Sequence, residues 1–297
     1  MGKLGLNGYA RRLTLPDGTT LTYRLRLAQH RRHRPVLVLL HGLASNYSRW
    51  SEFVEHTSLT EQWDVMWPDL RGHGESFTRG KVSLVRWCED LIALLGKEGY
   101  ASAALVGHSL GAQVAMAFAA RYLERTEGMV LIDPLLSEAL RGRGRWIRRL
   151  TPLIASIVAI VRLLNRLGLY RRDIPIRDLR RLDDETRAQL LAAGKQEEMI
   201  GLYASPWADL KYFPTANYLQ ELIEVTRPLP PLAEVNIPTL VLLSRGATFT
   251  DPGTTARLLE PLAHVEIHAV SAHHWPITEN PVEVRRAIEG WLYKRFS

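Results

Sequence analysis

The stretch AALVGHSLGAQVAM (residues 103–116) joins an apolar run to a helical pattern through one short turn. Residues 103–106 predict a buried strand, and Gly107-His108-Ser109-Leu110-Gly111 leads directly into a helix. So sharp a turn strains the backbone at the serine, and the flanking glycines leave room for the close approach. Ser109 also stands at a helix N-terminus, which favours a developing negative charge. The context predicts a nucleophilic serine; an ordinary glycine-rich turn with a capping serine is the alternative.

A nucleophilic serine needs a general base, and the stretch SAHHWPITENP (residues 271–281) supplies the candidate. It follows the last apolar run and precedes the C-terminal helical pattern. In a parallel sheet this loop emerges at the same carboxyl edge as Ser109. We therefore predict that His274 is the base, with the neighbouring His273 as the alternative.

Stabilising the oxyanion of an acyl-transfer intermediate requires two N–H groups directed at one point. Leu110 supplies the amide that follows the nucleophile, and we expect the second from the loop opening at His41-Gly42-Leu43, with Leu43 as donor. His41 itself is expected to be a buried, hydrogen-bonding residue that shapes this loop.

Continuous apolar runs separated by helical patterns predict a parallel sheet covered on both faces. An alternating hairpin around Asp17-Gly18 comes before them. The runs lie at residues 36–40, 63–67, 103–106, 129–132, 239–243 and 264–270, and the main helices at 83–97, 110–122 and 281–295.

The alternation stops after Asp133-Pro134 and resumes near residue 236. The intervening stretch has helical patterns, no convincing strand, and prolines at 152, 175, 206 and 214 that are expected to cut it into short helices. We predict a core domain of residues 1–134 and 233–297 and an inserted helical cap of residues 135–232, with the proline-rich residues 228–231 as a hinge.

The net charge of +7 is unevenly distributed: residues 141–181 hold twelve Arg and two Asp. The simplest interpretation is that the arginines form a solvated face, while apolar residues of the stretch 141–172, which includes the run 153–161, roof an acyl pocket. An interfacial helix on an anionic membrane, with Trp146 at the headgroups, is a second interpretation. Arginines directed at a substrate carboxylate or phosphate are a third. Nucleic acid is discounted because no nucleic-acid fold signature accompanies the charge. Aromatic walls for the pocket are expected from Trp207, Tyr212, Phe213 and Tyr218.

Residues 1–12 lack the apolar region of a signal peptide, and Leu6 argues against myristoylation after Met1-Gly2. The single cysteine, Cys88, stands in a helical pattern and is expected to be a packed core thiol. A cytoplasmic protein is consistent with these features. Nothing in the sequence calls for a cofactor or a metal.

Four motifs in order resemble the α/β-hydrolase family in its cap-bearing form: His41-Gly42, PDLRGHGES (68–76), Gly107 to Gly111, and His274-Trp275-Pro276 followed by Glu279-Asn280-Pro281. The resemblance covers nearly everything except residues 135–232. It implies an α/β-hydrolase fold, a mostly parallel twisted sheet with helices on both faces and an inserted helical cap. It also implies that residues 69–76 form a structural loop.

The triad acid departs from the family pattern. The resemblance implies an Asp three residues after the glycine closing the seventh strand, but in LLSRGATFTD (242–251) that position is Phe249, and Asp251 comes two residues late. Other branches of the family place the acid at the end of the sixth strand, where MVLIDP (129–134) offers Asp133. We favour Asp133 and keep Asp251 as the alternative.

Serine at position 109 excludes epoxide hydrolases and dehalogenases of this family, which use a carboxylate there; a serine attacks acyl carbons. The predicted function is hydrolysis of a small-molecule carboxylic ester through an acyl-enzyme. Hydrolysis of a carbon–carbon bond, acyl transfer or lactonase activity, and a noncatalytic binding protein are the alternatives. The acyl group, the alcohol and the oligomeric state are left open.

Overall fold

The computed structural model describes residues 9–29, 35–228, 230–246 and 248–296, without the side chains of residues 143 and 144. Residues 1–8, on which the predictions about a signal peptide and myristoylation largely depend, lie outside the described residues. Position 229 of the predicted hinge also lies outside them.

An eight-stranded sheet forms the centre of the protein, in the order β1-β2-β4-β3-β5-β6-β7-β8. The hairpin β1–β2 is antiparallel, β2 pairs antiparallel with β4, and all other pairs are parallel. The strands are β1 Tyr9–Thr14, β2 Thr20–Arg26, β3 Val36–Leu40, β4 Asp64–Pro68, β5 Ala103–His108, β6 Thr126–Ile132, β7 Pro238–Ser244 and β8 His264–Val270. The predicted hairpin and all six apolar strands are confirmed.

The apolar runs are continuous because both faces of the sheet are buried. In β3, Val36, Val38 and Leu40 contribute to the core on one face, and Leu37 and Leu39 contribute to the core on the other. Since side chains alternate between faces along a strand, a strand covered on both sides must be apolar at every position.

Helices cover both faces and fill the stretch between β6 and β7. They are α1 Ser51–His56, α2 Leu84–Glu98, α3 Leu110–Arg121, α4 Arg143–Arg166, α5 Leu179–Thr186, α6 Gln196–Tyr203, α7 Pro206–Asp209, α8 Thr215–Glu224, α9 Pro252–Leu259, α10 Pro276–Glu279 and α11 Pro281–Phe296. The core on the face of Val36, Val38 and Leu40 contains residues of α2 and α3. The core on the opposite face of the sheet contains residues of α1 and α11. This arrangement confirms the predicted α/β-hydrolase fold.

Within the described residues between β6 and β7, the regular elements are helices joined by loops, apart from an isolated bridge between Leu140 and Thr250. The expected break at Pro152 is wrong, because α4 continues through it. Proline at this position leaves the carbonyl of Arg148 without its helical donor. Both residues are exposed, so water can hydrate that carbonyl. The boundaries of the cap at 135 and 232 stay a prediction.

No helix within the described ranges combines the length and the apolar character needed to cross a membrane.

The loop after β4 is held by its own acidic side chain. Asp69 accepts hydrogen bonds from the amides of Tyr47, at 2.7 Å, and Glu75, at 2.8 Å. Gly74 has a φ of 47°, and an added Cβ there would lie 2.4 Å from the Asp69 carboxylate. These contacts are consistent with the structural role expected of residues 69–76.

Candidate active site

The turn between β5 and α3 has the strained geometry expected from its sequence. Ser109 has φ 55° and ψ −113°, a conformation that costs energy for a residue with a side chain. An added Cβ would lie 2.3 Å from the Gly111 carbonyl oxygen at position 107, and 2.2 Å from the Leu40 carbonyl oxygen at position 111. Both positions therefore require glycine, and the close packing places the serine at the carboxyl edge of the sheet.

The loop after β8 brings His274 to this serine. The Nε2 atom of His274 lies 3.1 Å from Ser109 Oγ, and both side chains are buried. His108, inside the turn, places its Nε2 2.8 Å from the carbonyl oxygen of His274, which it holds as a hydrogen-bond donor. The predicted nucleophile and base are thus within hydrogen-bond distance across 165 residues of sequence.

The two imidazoles at the serine turn, His274 and His108, favour the neutral form because both are buried. Burial and the nearby His108 hold the pKa of His274 well below its usual 6.5, and burial lowers the pKa of His108 to about 4. A neutral His274 is free to accept a proton at Nε2, as a general base must.

Asp133, at the end of β6, is the carboxylate that faces His274. Its Oδ2 lies 4.0 Å from His274 Nδ1. Ser244, at the end of β7, donates its backbone amide to Asp133 Oδ1 at 2.7 Å and its hydroxyl to Oδ2. Burial raises the pKa of Asp133 to about 6, against the two hydrogen bonds from Ser244, which lower it.

The two alternative residues have other partners. Asp251 caps α9, accepting a hydrogen bond from the Thr254 amide at 2.8 Å, and it lies 3.7 Å from Arg141. His273 places its Nδ1 2.8 Å from a carboxylate oxygen of Glu279. Of the candidates, the structure therefore brings together Ser109, His274 and Asp133, whereas Asp251 and His273 are engaged elsewhere.

The loop after β3 lies against the serine turn. An added Cβ at Gly42 would lie 3.3 Å from Ser109 Cβ, and the next residue, Leu43, lines the same cavity as Ser109. Leu110 is the first residue of α3, where N–H groups have no acceptor within the helix. His41 is buried and accepts a hydrogen bond from the Leu70 amide at 3.0 Å, as expected of a residue that shapes this loop.

Above Ser109 and His274 is a cavity of about 200 Å³ with a mainly apolar lining. Leu135, Leu140 and Ile147 contribute to it from the stretch between β6 and β7. Of the described residues in the stretch 141–172, which is expected to roof this pocket, Ile147 lines the cavity, whereas no residue of the run 153–161 does. The physical reason is that α4 packs lengthwise against α8, so only its N-terminal end reaches the cavity.

The aromatic lining also differs from expectation. Tyr218 lines the cavity, but Trp207 is 81% exposed, and Tyr212 and Phe213 line a separate, smaller pocket. Tyr203 and Trp275 line the main cavity instead.

Phe249 and Trp275 flank the base, a feature that sequence reasoning missed. Their rings lie 4.8 Å and 5.5 Å from the His274 ring, between centroids, both in edge-to-face contact. Phe249 occupies the position where the family places its acid. The sequence therefore shows a phenylalanine in place of the acid, but it does not show that this side chain packs against the base.

Two arginines line the cavity, and each faces a carboxylate. Arg49 pairs with Asp183 and donates to Thr278 Oγ1 at 2.7 Å, while Arg177 lies 3.9 Å from Asp209. Each cation thus has a carboxylate partner within the protein, although burial raises the pKa of Asp209 to about 7. Within the described residues, no group of three or more His, Cys, Asp or Glu side chains is placed to hold a metal ion.

Comparisons with known proteins identify relatives along nearly the whole chain. An abhydrolase domain-containing protein of Schizosaccharomyces pombe is 22% identical over 88% of this chain and 93% of its own. The sn-1-specific diacylglycerol lipase ABHD11 of Mus musculus is 22% identical over 87% of this chain and 81% of its own.

A solved structure shares the fold. The enol-lactonase of Burkholderia xenovorans LB400 superposes with a TM-score of 0.69 at 19% identity, covering 95% of this chain and 100% of that one. The sequence profile of the alpha/beta hydrolase family matches residues 37–287. This match spans most of the chain and agrees with the fold described above, so the chain belongs to the α/β-hydrolase family.

Proposed function

We propose that the protein hydrolyses carboxylic esters through an acyl-enzyme on Ser109. The observation that carries the proposal is the 3.1 Å separation of Ser109 Oγ and His274 Nε2 at the floor of an apolar cavity. A nucleophile within hydrogen-bond distance of a neutral base is the arrangement that activates a serine. Because both groups are intact, a noncatalytic binding protein is the less favoured alternative.

In the first step, Ser109 Oγ attacks the ester carbonyl carbon while its proton moves to His274 Nε2. The tetrahedral intermediate collapses, the carbon–oxygen bond to the alcohol breaks, and His274 returns the proton to the leaving alcohol. Water then attacks the acyl-enzyme by the same route, which releases the acid and restores the serine.

Asp133 is proposed to hold the His274 tautomer with the proton on Nδ1 and to stabilise the imidazolium that forms. At 4.0 Å the two groups are close enough to attract each other but beyond hydrogen-bond distance. We infer that the contact shortens when His274 becomes charged, since catalytic hydrogen bonds are often long without substrate. The amides of Leu43 and Leu110 are proposed as the oxyanion hole.

The lining of the cavity favours a substrate with an uncharged acyl group of small or medium size. Its walls are mainly apolar, and its arginines, Arg49 and Arg177, are already paired with Asp183 and Asp209. A substrate carboxylate or phosphate would have to displace a carboxylate of the protein. This argues against the interpretation that arginines reach into the pocket for an anionic substrate.

We further propose that residues 135–232 act as a cap over the site, because this stretch supplies Leu140, Ile147 and Tyr218 to the cavity wall. A cytoplasmic location stays a prediction.

A fluorophosphonate probe tests the proposal directly, since it labels only an activated serine. We expect labelling of the wild type and none of Ser109→Ala, and labelling that survives Ser109→Ala would contradict the assignment. A panel of p-nitrophenyl esters of increasing chain length, run beside lactones, acyl acceptors and a β-diketone acid, then separates ester hydrolysis from its alternatives. Labelling without ester turnover would favour one of those alternatives.

A further inference from the structure

Helix α4 carries an exposed row of large apolar side chains. Its members are between 40% and 61% exposed: Trp146, Leu150, Leu153, Ile157, Ile160 and Leu164. We refer to these six residues as the α4 stripe. Soluble proteins expose single apolar residues routinely, but a contiguous row marks an interaction surface.

The α4 stripe lies along one side of the helix. Its members are spaced alternately by four and three residues, and residues three or four apart are neighbours on a helix surface. At about 1.5 Å per residue the stripe runs for about 27 Å. A different side of α4 faces the protein, where Val158 is buried and the helix packs along α8. The stripe is therefore not part of the core.

Helix α4 also carries exposed arginines. Arg145 and Arg149 are exposed and, at about 100° per residue, lie beside the stripe, whereas Arg148 and Arg166, also exposed, lie on the opposite side of α4. In the part of the chain that the structure describes, no carboxylate forms an ion pair with any of them. The Arg149 guanidinium instead lies 5.5 Å from the centre of the Trp146 ring. An apolar face edged by unpaired arginines is typical of helices that lie in the interface of anionic membranes.

We propose that α4 docks the protein on the surface of an anionic lipid bilayer, with the α4 stripe in the acyl–headgroup boundary and Arg145 and Arg149 among the lipid phosphates. A second copy of the chain fits less well, because pairing two stripes would bring together Arg145 and Arg149 of each copy, four arginines of like charge. A bilayer offers both the apolar depth and the opposite charge. Each basic residue near such a surface strengthens binding by about fivefold.

Docking would bring the cavity to the lipid surface. Ile147 lines the cavity, and its neighbour Trp146 begins the α4 stripe. The cavity wall and the proposed membrane face thus meet at the N-terminal end of α4. The proposal concerns binding and does not depend on ester hydrolysis, because vesicle binding is measured without a substrate.

The test compares two double variants with the same change in charge. Leu153→Glu/Ile160→Glu places carboxylates in the stripe. Ala155→Glu/Ala159→Glu places them at exposed positions on the other side of α4, as the control. Co-sedimentation is measured with phosphatidylcholine vesicles with and without phosphatidylglycerol, from about 0.05 M to about 0.5 M salt, where the screening length falls from about 14 Å to about 4 Å.

We expect the wild type to bind the anionic vesicles, more weakly as salt rises, and to bind neutral vesicles poorly. The stripe variant should lose roughly tenfold or more in affinity relative to the control variant. Unfolding by urea checks that both variants are folded. No binding by wild type, or equal binding by the two variants, would overturn the proposal. So would a wild-type dimer in sedimentation velocity that the stripe variant disrupts and that does not bind vesicles.

Discussion

The variant Asp133→Asn tests two properties of this carboxylate: its proposed role in catalysis and the cost of its ionised form to the stability of the fold. Burial raises the pKa of Asp133 from 3.8 to about 6, so the folded protein holds this proton more tightly than the unfolded chain does. A group with a raised pKa contributes stability that is complete below the unfolded pKa and is lost as pH rises through the folded one. A shift of about two units corresponds to about 3 kcal/mol. Near pH 8 the ionised Asp133 therefore destabilises the fold by about this amount.

Asparagine cannot ionise, so the variant lacks this pH dependence. At about pH 5 the free energy by which Asp133 destabilises the fold is roughly half its value at about pH 8. We therefore expect the free energy of unfolding of Asp133→Asn, relative to wild type, to rise by about 1.4 kcal/mol between these pH values. Effects that do not depend on pH, such as altered hydrogen bonding to Ser244, cancel in this comparison. Urea unfolding at each pH gives the two differences.

The same variant should lose turnover on activated esters by several orders of magnitude; in the serine-protease triad the corresponding change costs about 10⁴. Asp251→Asn is the control, and we expect it to retain turnover because Asp251 caps α9 and faces Arg141 rather than His274. A stability difference that is the same at both pH values would refute the energetic argument. Near-normal turnover of Asp133→Asn would refute the catalytic one.

Five further single variants test the site and the turn around it, the last of them as a control in α2. Ser109→Ala should abolish ester turnover in a kinetic assay while leaving urea unfolding intact, since it removes one oxygen. His274→Ala should be as damaging, and combining the two should add little because they act as a unit, whereas His273→Ala should cost far less; the reverse ranking would show that the base is misassigned. Gly111→Ala should lower the free energy of unfolding by roughly 3 kcal/mol or more, because its Cβ would lie 2.2 Å from a backbone carbonyl oxygen. Gly96→Ala, where no atom lies within 4 Å, should raise it by about 0.5–1 kcal/mol; equal effects would contradict the packing argument.

Much of the fold follows from local pattern. Continuous apolar runs predicted β3 to β7, because a strand covered on both faces has few positions for a polar side chain. The run that predicted β8 forms a largely exposed strand at the edge of the sheet. The turn from 107 to 111 could also be predicted. Only glycine fits at 107, where β5 turns sharply into α3, and at 111, where α3 passes the end of β3. Pro152 shows the limit of such reasoning: its effect depends on whether water reaches the freed carbonyl, which is a matter of tertiary exposure.

By itself, the sequence determined the α/β architecture, the serine turn and the loop that carries His274, because each is encoded in contiguous residues and in the shared edge of parallel strands. Only the tertiary structure decided which acid faces the base. Asp133 is held by Ser244, 111 residues away, through the pairing of β6 with β7, whereas Asp251 is drawn to the start of α9. It also decided that the α4 stripe faces outward. The periodicity of a helix reveals an apolar side, but its packing partner settles whether that side is buried.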